Sequence, residues 1–468
     1  MAGVQDLGRL LALQRRAYAA EPMPSRSARA ARLERLAALV ERNEAAFAAA
    51  ISEDFGHRST HETGLAEIFV VLAAVRHALR RLGRWMRERR VPTAIYYRPG
   101  YSRILPQPLG VIGIVSPWNY PLQLALGPAV GALAAGNRVL LKPSELTPRC
   151  SALIERLVGA HFAEDEFAVV SGDAAVGEAF VALPFDHLLF TGSTAVGRKV
   201  ALAAAKNLTP VTLELGGKSP AIIDPSCDLA VAAPRLALGK LLNAGQTCIA
   251  PDYALVPAGR VDAFVAAMRA AVAAMYPRFT DNDDYTSIVS DRHYARLEQL
   301  LADARAQGAQ LLELGEPAEA GRRRMPPVLV LGATDAMQIM REEIFGPLLP
   351  VVPYGSIGEA IDYVNRRDRP LALYWFGEDA ASRDAVLART AAGGVTVNDC
   401  LWHFAQEDLP FGGIGPSGMG AYHGEAGFRT FSKEKPVFHQ PALTGMSLMR
   451  PPYGRAFERI AALLRRIA

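Results

Sequence analysis

The chain has 468 residues, of which 50% are hydrophobic and 21% are charged, a balance typical of a globular protein. At roughly 100–200 residues per domain, this length predicts two or three domains. The formal net charge of +4 is too small to indicate a nucleic-acid-binding protein. Cys150, Cys227, Cys248 and Cys400 are far apart in the chain, which argues against a zinc cluster and a disulfide framework, so we expect no metal site.

The N-terminus carries Asp6, Arg9, Arg15 and Arg16 among apolar residues, so it lacks the uninterrupted apolar core of a signal peptide. No stretch approaches about 18 uninterrupted apolar residues, and we therefore expect no transmembrane segment. A reducing cytoplasm is the expected compartment.

The first 213 residues contain helices followed by an alternation of strands and helices. Residues 1–90 place apolar side chains at helical spacing, and 96–108 is extended enough to pair outside its own sheet. The alternation consists of strands at 111–115, 138–142, 167–170, 187–190 and 211–214, separated by helices at 121–135, 148–161, 173–181 and 195–205. Strands with little polar alternation predict a parallel sheet covered on both faces, and such sheets bind ligands at the carboxyl ends of their strands.

A second α/β run is predicted from about 220 to 397. It includes helices at 261–275 and 357–366 and strands at 371–376 and 395–397. The Gly-rich tract 411–420 is expected to be a loop that needs close backbone approach, not a regular element. The segment 457–467 is amphipathic, and we expect it to pack against the body or a partner subunit in preference to a membrane.

Cys248 lies among small and polar residues instead of in an apolar run. Gly245 allows the backbone to turn, and Pro251 and Asp252 stop any helix from continuing. A thiol held on a turn can be aimed into a cleft, where it is a candidate nucleophile. The alternative is that Cys248 is a small buried hydrophobe, as most lone cysteines are.

Two predicted strand ends offer polar groups suited to catalysis. Glu214 ends a strand just before two glycines; if partly buried, its carboxyl would have a raised pKa and could act as a base near neutral pH. Asn119 lies between Pro117 and Pro121, where its amide can donate to a developing oxyanion. A structural asparagine in a turn is the alternative for Asn119.

The tract 190–197 follows a strand and opens a helix. Gly192 would let the backbone approach a phosphate, and Ser193 would add a hydroxyl donor beside the positive end of the helix dipole. Because the tract is not a GxGxxG motif, a plain tight turn explains it equally well.

Two further segments offer groups for a ribose. Lys142 and Glu145 end a strand, and a carboxylate beside the ribose hydroxyls favours NAD over a 2′-phosphorylated cofactor. A surface lysine followed by the helix-capping Ser144 is the alternative. Glu343 offers a second carboxylate and Phe345 an aromatic ring, although this segment can also be an ordinary acidic turn.

In this order the motifs resemble the NAD(P)-dependent aldehyde dehydrogenases, and within them the class 3 and coniferyl aldehyde dehydrogenases, from 110 to 433. The motifs that carry the resemblance are Pro117-Trp118-Asn119-Tyr120-Pro121, Lys142-Pro143-Ser144-Glu145, Phe190-Thr191-Gly192-Ser193, Glu214-Leu215-Gly216-Gly217-Lys218, Gly245-Gln246-Thr247-Cys248, Glu343-Ile344-Phe345-Gly346-Pro347 and Pro410-Phe411-Gly412-Gly413. The tract 417–424 points to class 3.

The resemblance implies that Cys248 is the nucleophile, Glu214 the general base and Asn119 an oxyanion donor together with the backbone N–H of Cys248. It implies a cofactor site formed by Trp118, Lys142, Ser144, Glu145, Gly192, Ser193, Val196, Leu215, Gly216, Glu343 and Phe345. Glu145 favours NAD without excluding NADP.

The implied fold class is α/β, with two doubly wound parallel-sheet domains, one of them Rossmann-like, and a small β arm. An NAD-binding domain would span 1–213, with 93–109 contributing to the bridging arm. A catalytic domain would span 214–397, a bridging and oligomerisation segment with an active-site loop 398–441, and a helical tail 442–468. The resemblance and the arm also imply a homodimer.

The implied reaction oxidises an aromatic (coniferyl-type) or medium-chain aldehyde to a carboxylic acid through a thiohemiacetal and a thioester on Cys248, which Glu214 helps to hydrolyse. An acylating enzyme that uses coenzyme A would lack the acid at Glu214, and a non-catalytic nucleotide-binding relative would have lost Cys248 or Glu214. A thiol hydrolase would need a histidine beside Cys248. An aromatic or medium-chain pocket would be lined by Tyr120, Trp402, His403, Phe404 and His423, although core packing explains these aromatics equally well.

Overall fold

The computed structural model describes residues 2–279, 282–316 and 321–467. The helices in the described residues are α1 (Ala2–Ala20), α2 (Arg26–Glu41), α3 (Glu44–Phe55), α4 (Thr60–Thr63), α5 (Val70–Trp85), α6 (Gln123–Ala135), α7 (Pro148–His161), α8 (Ala174–Val181), α9 (Thr194–Ala205), α10 (Leu229–Leu241), α11 (Val261–Met275), α12 (Asp291–Ala306), α13 (Gln338–Arg341), α14 (Ile357–Asn365), α15 (Ala380–Arg389), α16 (Trp402–Ala405), α17 (Gly424–Thr430) and α18 (Arg455–Ile467). A π-helical turn, Gly64–Phe69, joins α4 to α5.

The strands in the same residues are β1 (Arg89–Val91), β2 (Tyr101–Pro108), β3 (Val111–Val115), β4 (Arg138–Lys142), β5 (Phe167–Val169), β6 (His187–Thr191), β7 (Val211–Glu214), β8 (Pro220–Ile223), β9 (Tyr253–Pro257), β10 (Gln310–Glu313), β11 (Val328–Leu331), β12 (Leu348–Tyr354), β13 (Ala372–Phe376), β14 (Gly394–Val397), β15 (Gly418–Met419) and β16 (Ser432–His439). They form sheets of six, seven and three strands.

The six-stranded sheet has the order β15-β7-β6-β3-β4-β5 and is parallel except for β15. The seven-stranded sheet has the order β10-β11-β12-β9-β8-β13-β14 and is parallel except for β10. The central strands of both sheets are buried along their length, as their apolar sequences require. The predicted α/β class is therefore confirmed, while the exact domain boundaries remain a prediction.

The Gly-rich tract departs from the expectation that it is a loop throughout. Its residues Gly418 and Met419 form β15, which pairs antiparallel with the end of β7 and places Gly418 opposite Glu214. A Cβ added to Gly418 would overlap the carbonyl oxygen of Leu213, and the φ of Gly418 is +148°. The strand can approach β7 because this position has no side chain.

The expected arm is a separate three-stranded antiparallel sheet with the order β1-β2-β16. The strands β2 and β16 pair from Tyr101 opposite His439 to Pro108 opposite Ser432. Large apolar side chains on and beside this sheet are exposed, among them Tyr97, Tyr101 and Phe438. The sheet thus carries exposed apolar side chains.

The amphipathic tail forms α18, which packs against the 3-10 turn Gly445–Met449. Its Phe457 and Ile460 are half-buried. Whether a partner subunit covers this helix remains a prediction. Within the described ranges, the helices lack the combination of length and apolar composition needed to cross a bilayer.

Candidate active site

The three candidate catalytic residues lie close together although they come from distant parts of the chain. The side-chain Nδ2 of Asn119 donates to the carbonyl oxygen of Gln246 at 3.1 Å, two residues before Cys248. Glu343 and Glu214 both lie within electrostatic range of the Cys248 thiol, so that either carboxyl, when ionised, raises the pKa of that thiol. The structure therefore brings the thiol, the carboxyl and the amide to one place.

Cys248 is half-buried, and its environment disfavours the thiolate in the absence of a bound cation. Burial raises the pKa of the Cys248 thiol above its ordinary value, and the charges of Glu343 and Glu214 raise that pKa further. The backbone N–H groups of Cys248 and Ile249 act in the opposite direction by donating toward the sulfur. Positive charge near Cys248 would be needed to make this thiol nucleophilic.

The turn before Cys248 is held by its backbone conformation and by one buried amide. Asn243, Ala244 and Gly245 all have positive φ values, +55°, +53° and +74°. The side chain of Gln246 donates to the carbonyl oxygens of Asn243 at 3.0 Å and Ser287 at 3.1 Å, and its Oε1 accepts from the backbone N–H of Val289 at 2.9 Å. The turn predicted from Gly245 is therefore a fixed support for the thiol.

Glu214 ends β7, and its side chain is 2% exposed. Neither carboxyl oxygen has a hydrogen-bond partner among the described residues. Burial alone raises the pKa of this carboxyl well above its ordinary value. Burial therefore favours the protonated form of this carboxyl over the carboxylate.

The ends of β4 and β6 carry the candidate ribose and phosphate groups. Nζ of Lys142 lies 3.0 Å from Oε2 of Glu145, with the lysine buried and the glutamate half exposed. Ser193 caps α9 by accepting from the N–H of Val196 at 3.4 Å, and Val196 is 45% exposed. The anion-favouring end of α9 and the Lys142–Glu145 pair thus lie at the carboxyl ends of two parallel strands, with β3 between them.

Ser144 and Gly192 fix the backbone next to these groups. The hydroxyl of Ser144 accepts from the N–H of Leu146 at 3.2 Å. Ser144 therefore stabilises the turn before α7 and does not cap that helix. The N–H of Gly192 donates to the carbonyl oxygen of Glu214 at 3.0 Å, and the N–H of Leu215 donates to Ser417 at 3.0 Å. Ser144 and Gly192 therefore hold strand ends in place whether or not they touch a ligand.

Glu343 carries the other candidate carboxylate. Its Oε1 is buried without a hydrogen-bond partner in the described part of the chain, and a Cβ added to Gly216 would overlap its Oε2. Burial raises the pKa of Glu343 to about 8, and the charge of Asp252 contributes in the same direction. The unpartnered oxygen of Glu343 lies beside Gly216, which has no side chain to cover it. A ribose hydroxyl that donates to this oxygen would fit the site.

Trp118 and Phe345 form one aromatic group beside Glu343. Their ring centroids lie 5.4 Å apart in an edge-on arrangement. The ring of Trp118 also packs against His293, with centroids 4.9 Å apart. Phe345 has a φ of +53°, a backbone conformation that few residues other than glycine adopt. A dinucleotide that carries a flat ring fits this set of groups. They are the N-terminal end of α9, the Lys142–Glu145 pair, the unpartnered carboxyl oxygen of Glu343 and the rings of Trp118 and Phe345.

Cys248 also faces an apolar cavity of about 160 Å³. The predicted aromatic residues Tyr120, Trp402 and Phe404 line it. The other lining residues were not predicted from the sequence. They include Leu65, Phe69, Val70, Leu124, Leu238, Leu242, Cys400 and Leu401, with Gln123, Arg235, Thr247 and Asp399 as the polar members. Their apolar spacing on helices is typical of any core, so nothing in the sequence marked them as pocket residues.

The expectation that His403 and His423 line this pocket is wrong. His403 is buried, shares a hydrogen bond of 2.8 Å with the hydroxyl of Thr396 and stacks on Phe411. His423 lines a separate, smaller cavity with Tyr422, and burial lowers the pKa of its imidazole to about 3. Both rings fill the core under the Gly-rich tract. The described residues also contain no cluster of three or more His, Cys, Asp or Glu side chains suited to a metal ion.

The chain is similar to known proteins along most of its length. The model of the family described as "Aldehyde dehydrogenase family" matches residues 5–437. A probable coniferyl aldehyde dehydrogenase of Pseudomonas aeruginosa is 51% identical over 457 residues, which cover 98% of this chain and 96% of the relative. A coniferyl aldehyde dehydrogenase of a Pseudomonas species is 48% identical over 468 residues, covering 99% and 97%.

Two solved structures resemble the whole chain. The substrate-bound state of Staphylococcus aureus AldH has a TM-score of 0.92 and 36% sequence identity, and the match covers 98% of this chain and 99% of that chain. A mutant of aldehyde dehydrogenase C from Pseudomonas syringae, in complex with NAD+ and octanal, has a TM-score of 0.82 and 29% identity, covering 93% and 89%.

Proposed function

Because the chain belongs to the aldehyde dehydrogenase family, we propose that it oxidises an aromatic, coniferyl-type aldehyde or a medium-chain aldehyde to the carboxylic acid, with Cys248 as nucleophile. The observation that carries this proposal is the apolar cavity that ends at Cys248, beside the amide of Asn119. The names of the relatives that are 51% and 48% identical support the aromatic substrate.

The first step is addition of the Cys248 thiolate to the aldehyde carbon. One hydrogen of the Asn119 amide is donated to Gln246, and its second hydrogen is free for the alkoxide oxygen. The backbone N–H of Cys248 is a second donor. Donors fixed before the charge develops stabilise it without reorganising, and loss of one such donor costs about 10²–10³ in rate.

NAD, when bound, supplies a cationic ring that accepts the hydride leaving the aldehyde carbon. Lys142, Glu145 and Glu343 would hold the ribose hydroxyls, and the N-terminal end of α9 with Ser193 would hold the pyrophosphate. Gly192, Val196, Leu215 and Gly216 would form the walls of the groove, with Trp118 and Phe345 beside the ring. Glu145 supports NAD over NADP because a 2′-phosphate would lie beside its carboxylate.

Glu214 then activates water to clear the thioester from Cys248. Water that reaches the thioester also solvates the Glu214 carboxyl, which lowers its pKa toward the range in which a carboxylate accepts protons. The presence of this acid supports water as the acyl acceptor over coenzyme A. The presence of both Cys248 and Glu214 supports an enzyme over a non-catalytic nucleotide-binding protein.

The test is initial-rate kinetics with coniferyl aldehyde and octanal, each with NAD and with NADP. We expect coniferyl aldehyde with NAD to give the highest kcat/KM. The Cys248→Ala variant should form no reduced cofactor and should bind NAD normally in a titration. Turnover by Cys248→Ala at the wild-type rate would disprove the nucleophile assignment, and a higher kcat/KM for octanal would assign the pocket to medium-chain substrates.

We also propose a homodimer formed through the arm sheet and a cytoplasmic location. The exposed Tyr97, Tyr101 and Phe438 support the dimer because such apolar patches usually mark an interface. The four unpaired cysteines and the need for a reduced Cys248 support a reducing compartment. Sedimentation analysis of wild type and of a Phe438→Asp variant tests the dimer, which the variant should weaken.

A further inference from the structure

We propose that the buried ion pair between Arg58 and Glu67 positions the oxyanion donor, by fixing the backbone of Asn119 relative to Cys248. The inference rests on the proposed role of Asn119. Arg58 and Glu67 would be positioning residues, since they act through Asn119 and do not themselves line the pocket.

The ion pair is fully enclosed. Nη1 of Arg58 lies 2.6 Å from Oε1 of Glu67, and both side chains are 0% exposed. Oε2 of Glu67 accepts from the backbone N–H groups of Leu122 at 2.7 Å and Gln123 at 3.0 Å. Because α6 begins at Gln123, the carboxylate satisfies N–H groups that the helix itself leaves free.

The same arginine reaches the candidate oxyanion donor. Nη1 of Arg58 donates to the carbonyl oxygen of Asn119 at 3.2 Å. The side chain of Asn243 donates to that oxygen at 2.9 Å and to the carbonyl oxygen of Gln246 at 3.2 Å. The backbone of Asn119 is thus held from one side by the ion pair and from the other by the turn that carries Cys248.

A second route runs through the neighbouring tyrosine. The guanidinium of Arg58 lies 4.8 Å from the centroid of the Tyr120 ring, a cation–π distance. The hydroxyl of Tyr120 shares a hydrogen bond of 2.7 Å with the hydroxyl of Thr247, the residue before Cys248. Both routes from Arg58 therefore end within two residues of the nucleophile.

Stability alone is a poor explanation for this pair. Buried ion pairs are often no more stabilising than well-packed apolar residues of the same volume. Nε and Nη2 of Arg58 also lack hydrogen-bond partners in the described residues, which adds to the desolvation cost. The contacts of the pair reach both sides of the proposed oxyanion site. Apolar side chains in its place would not make these contacts.

The test compares Arg58→Lys with Arg29→Lys in stopped-flow measurements of the hydride burst. Arg29 is a matched control because it is also buried and donates to Ala134 and Ala135 at the opposite end of α6. We expect Arg58→Lys to slow the burst about tenfold, since a small misplacement of a catalytic group has effects of this size or larger. NAD affinity should be unchanged. Arg29→Lys should lower the melting temperature without slowing the burst.

A double-mutant cycle separates positioning from general damage. In an Asn119→Ala background, Arg58→Lys should change the burst rate less than about twofold, because the group it positions is absent. Glu67→Gln, which keeps an acceptor for the N–H groups of α6, should behave in the same way and replaces Arg58→Lys if that variant does not fold. Equal slowing by Arg58→Lys or Glu67→Gln in both backgrounds would overturn the proposal. A normal burst in Asn119→Ala alone would instead overturn the proposed role of Asn119.

Discussion

Glu67 and Glu214 are both buried glutamates, and the hydrogen-bonding surroundings of their carboxyl groups are opposite. Glu67 is 0% exposed and is bonded to Arg58 and to two backbone N–H groups at the start of α6. Glu214 is 2% exposed, and both of its oxygens are unpartnered in the described residues. An unpaired buried polar group costs about 1–3 kcal/mol. The contrast agrees with the proposed roles, in which the satisfied carboxyl of Glu67 holds the framework and the unsatisfied carboxyl of Glu214 acts as a base.

The largest effect should come from removing the satisfied carboxylate. Glu67→Leu leaves the Arg58 charge buried and unpaired, so we expect the free energy of unfolding to fall by about 3–5 kcal/mol. Urea denaturation measures this change. The double variant Arg58→Met/Glu67→Leu should recover most of the loss, because it also removes the guanidinium that Glu67→Leu leaves without its partner. A loss below about 1 kcal/mol in Glu67→Leu would show that Glu67 is no more important to stability than a surface residue.

The next largest effect should be on the chemistry of Glu214. Glu214→Gln keeps the size of the side chain and removes the proton acceptor, so we expect acyl-enzyme clearance to slow about 100-fold. The hydride burst should retain its amplitude, since it precedes clearance. Rapid-quench measurement of the acyl-enzyme checks this directly. Clearance at the wild-type rate would assign the base to another residue.

A smaller effect should appear in the stability of variants at position 214. Glu214→Met replaces an unpartnered carboxyl with an apolar side chain of similar length, so we expect the free energy of unfolding to rise by about 1–2 kcal/mol. Urea denaturation at neutral pH measures the rise. The control is Glu67→Met, which should lower stability, since the same substitution there breaks an ion pair. Destabilisation by Glu214→Met would indicate that Glu214 has a partner in solution.

The pH dependence of this stability difference has a defined sign. The pKa of Glu214 is raised in the folded protein, so the folded state holds its proton at pH values where the unfolded chain has released it. The wild type should therefore lose stability relative to Glu214→Met as pH rises above the ordinary carboxyl range, by at most about 1.4 kcal/mol per pH unit. Denaturation curves at pH 5 and pH 8 give the two differences. An equal difference at both pH values would mean that the carboxyl titrates normally.

Local sequence patterns were sufficient for the parallel strands of the six-stranded sheet and for locating the candidate reacting groups. The strands at 111–115 and 138–142 have the predicted bounds because a run of apolar residues and its flanking turns are local signals. Cys248, Glu214 and Asn119 were identified from turn residues and a resemblance, and the structure places them together. Their assigned roles remain predictions that the kinetic tests address.

The supporting groups could not be predicted because they depend on pairing across long distances in sequence. Arg58 contacts Asn119 from 61 residues away, and no local pattern marks either member of its ion pair as buried. The error over His403 and His423 has a related cause. An aromatic ring suits a pocket wall and a core equally, and the hydrogen bond to Thr396 that turns His403 inward appears only in three dimensions.

The short strand β15 has a consequence for synthesis. Gly418 pairs with Glu214 across the edge of the six-stranded sheet, although the two residues are separated by some 200 positions in the chain. Cys248 and Glu214 therefore emerge from the ribosome long before β15, the strand that pairs beside the Glu214 carboxyl. Oxidising activity toward aldehydes should appear only near the end of translation, so that chains released early are inert.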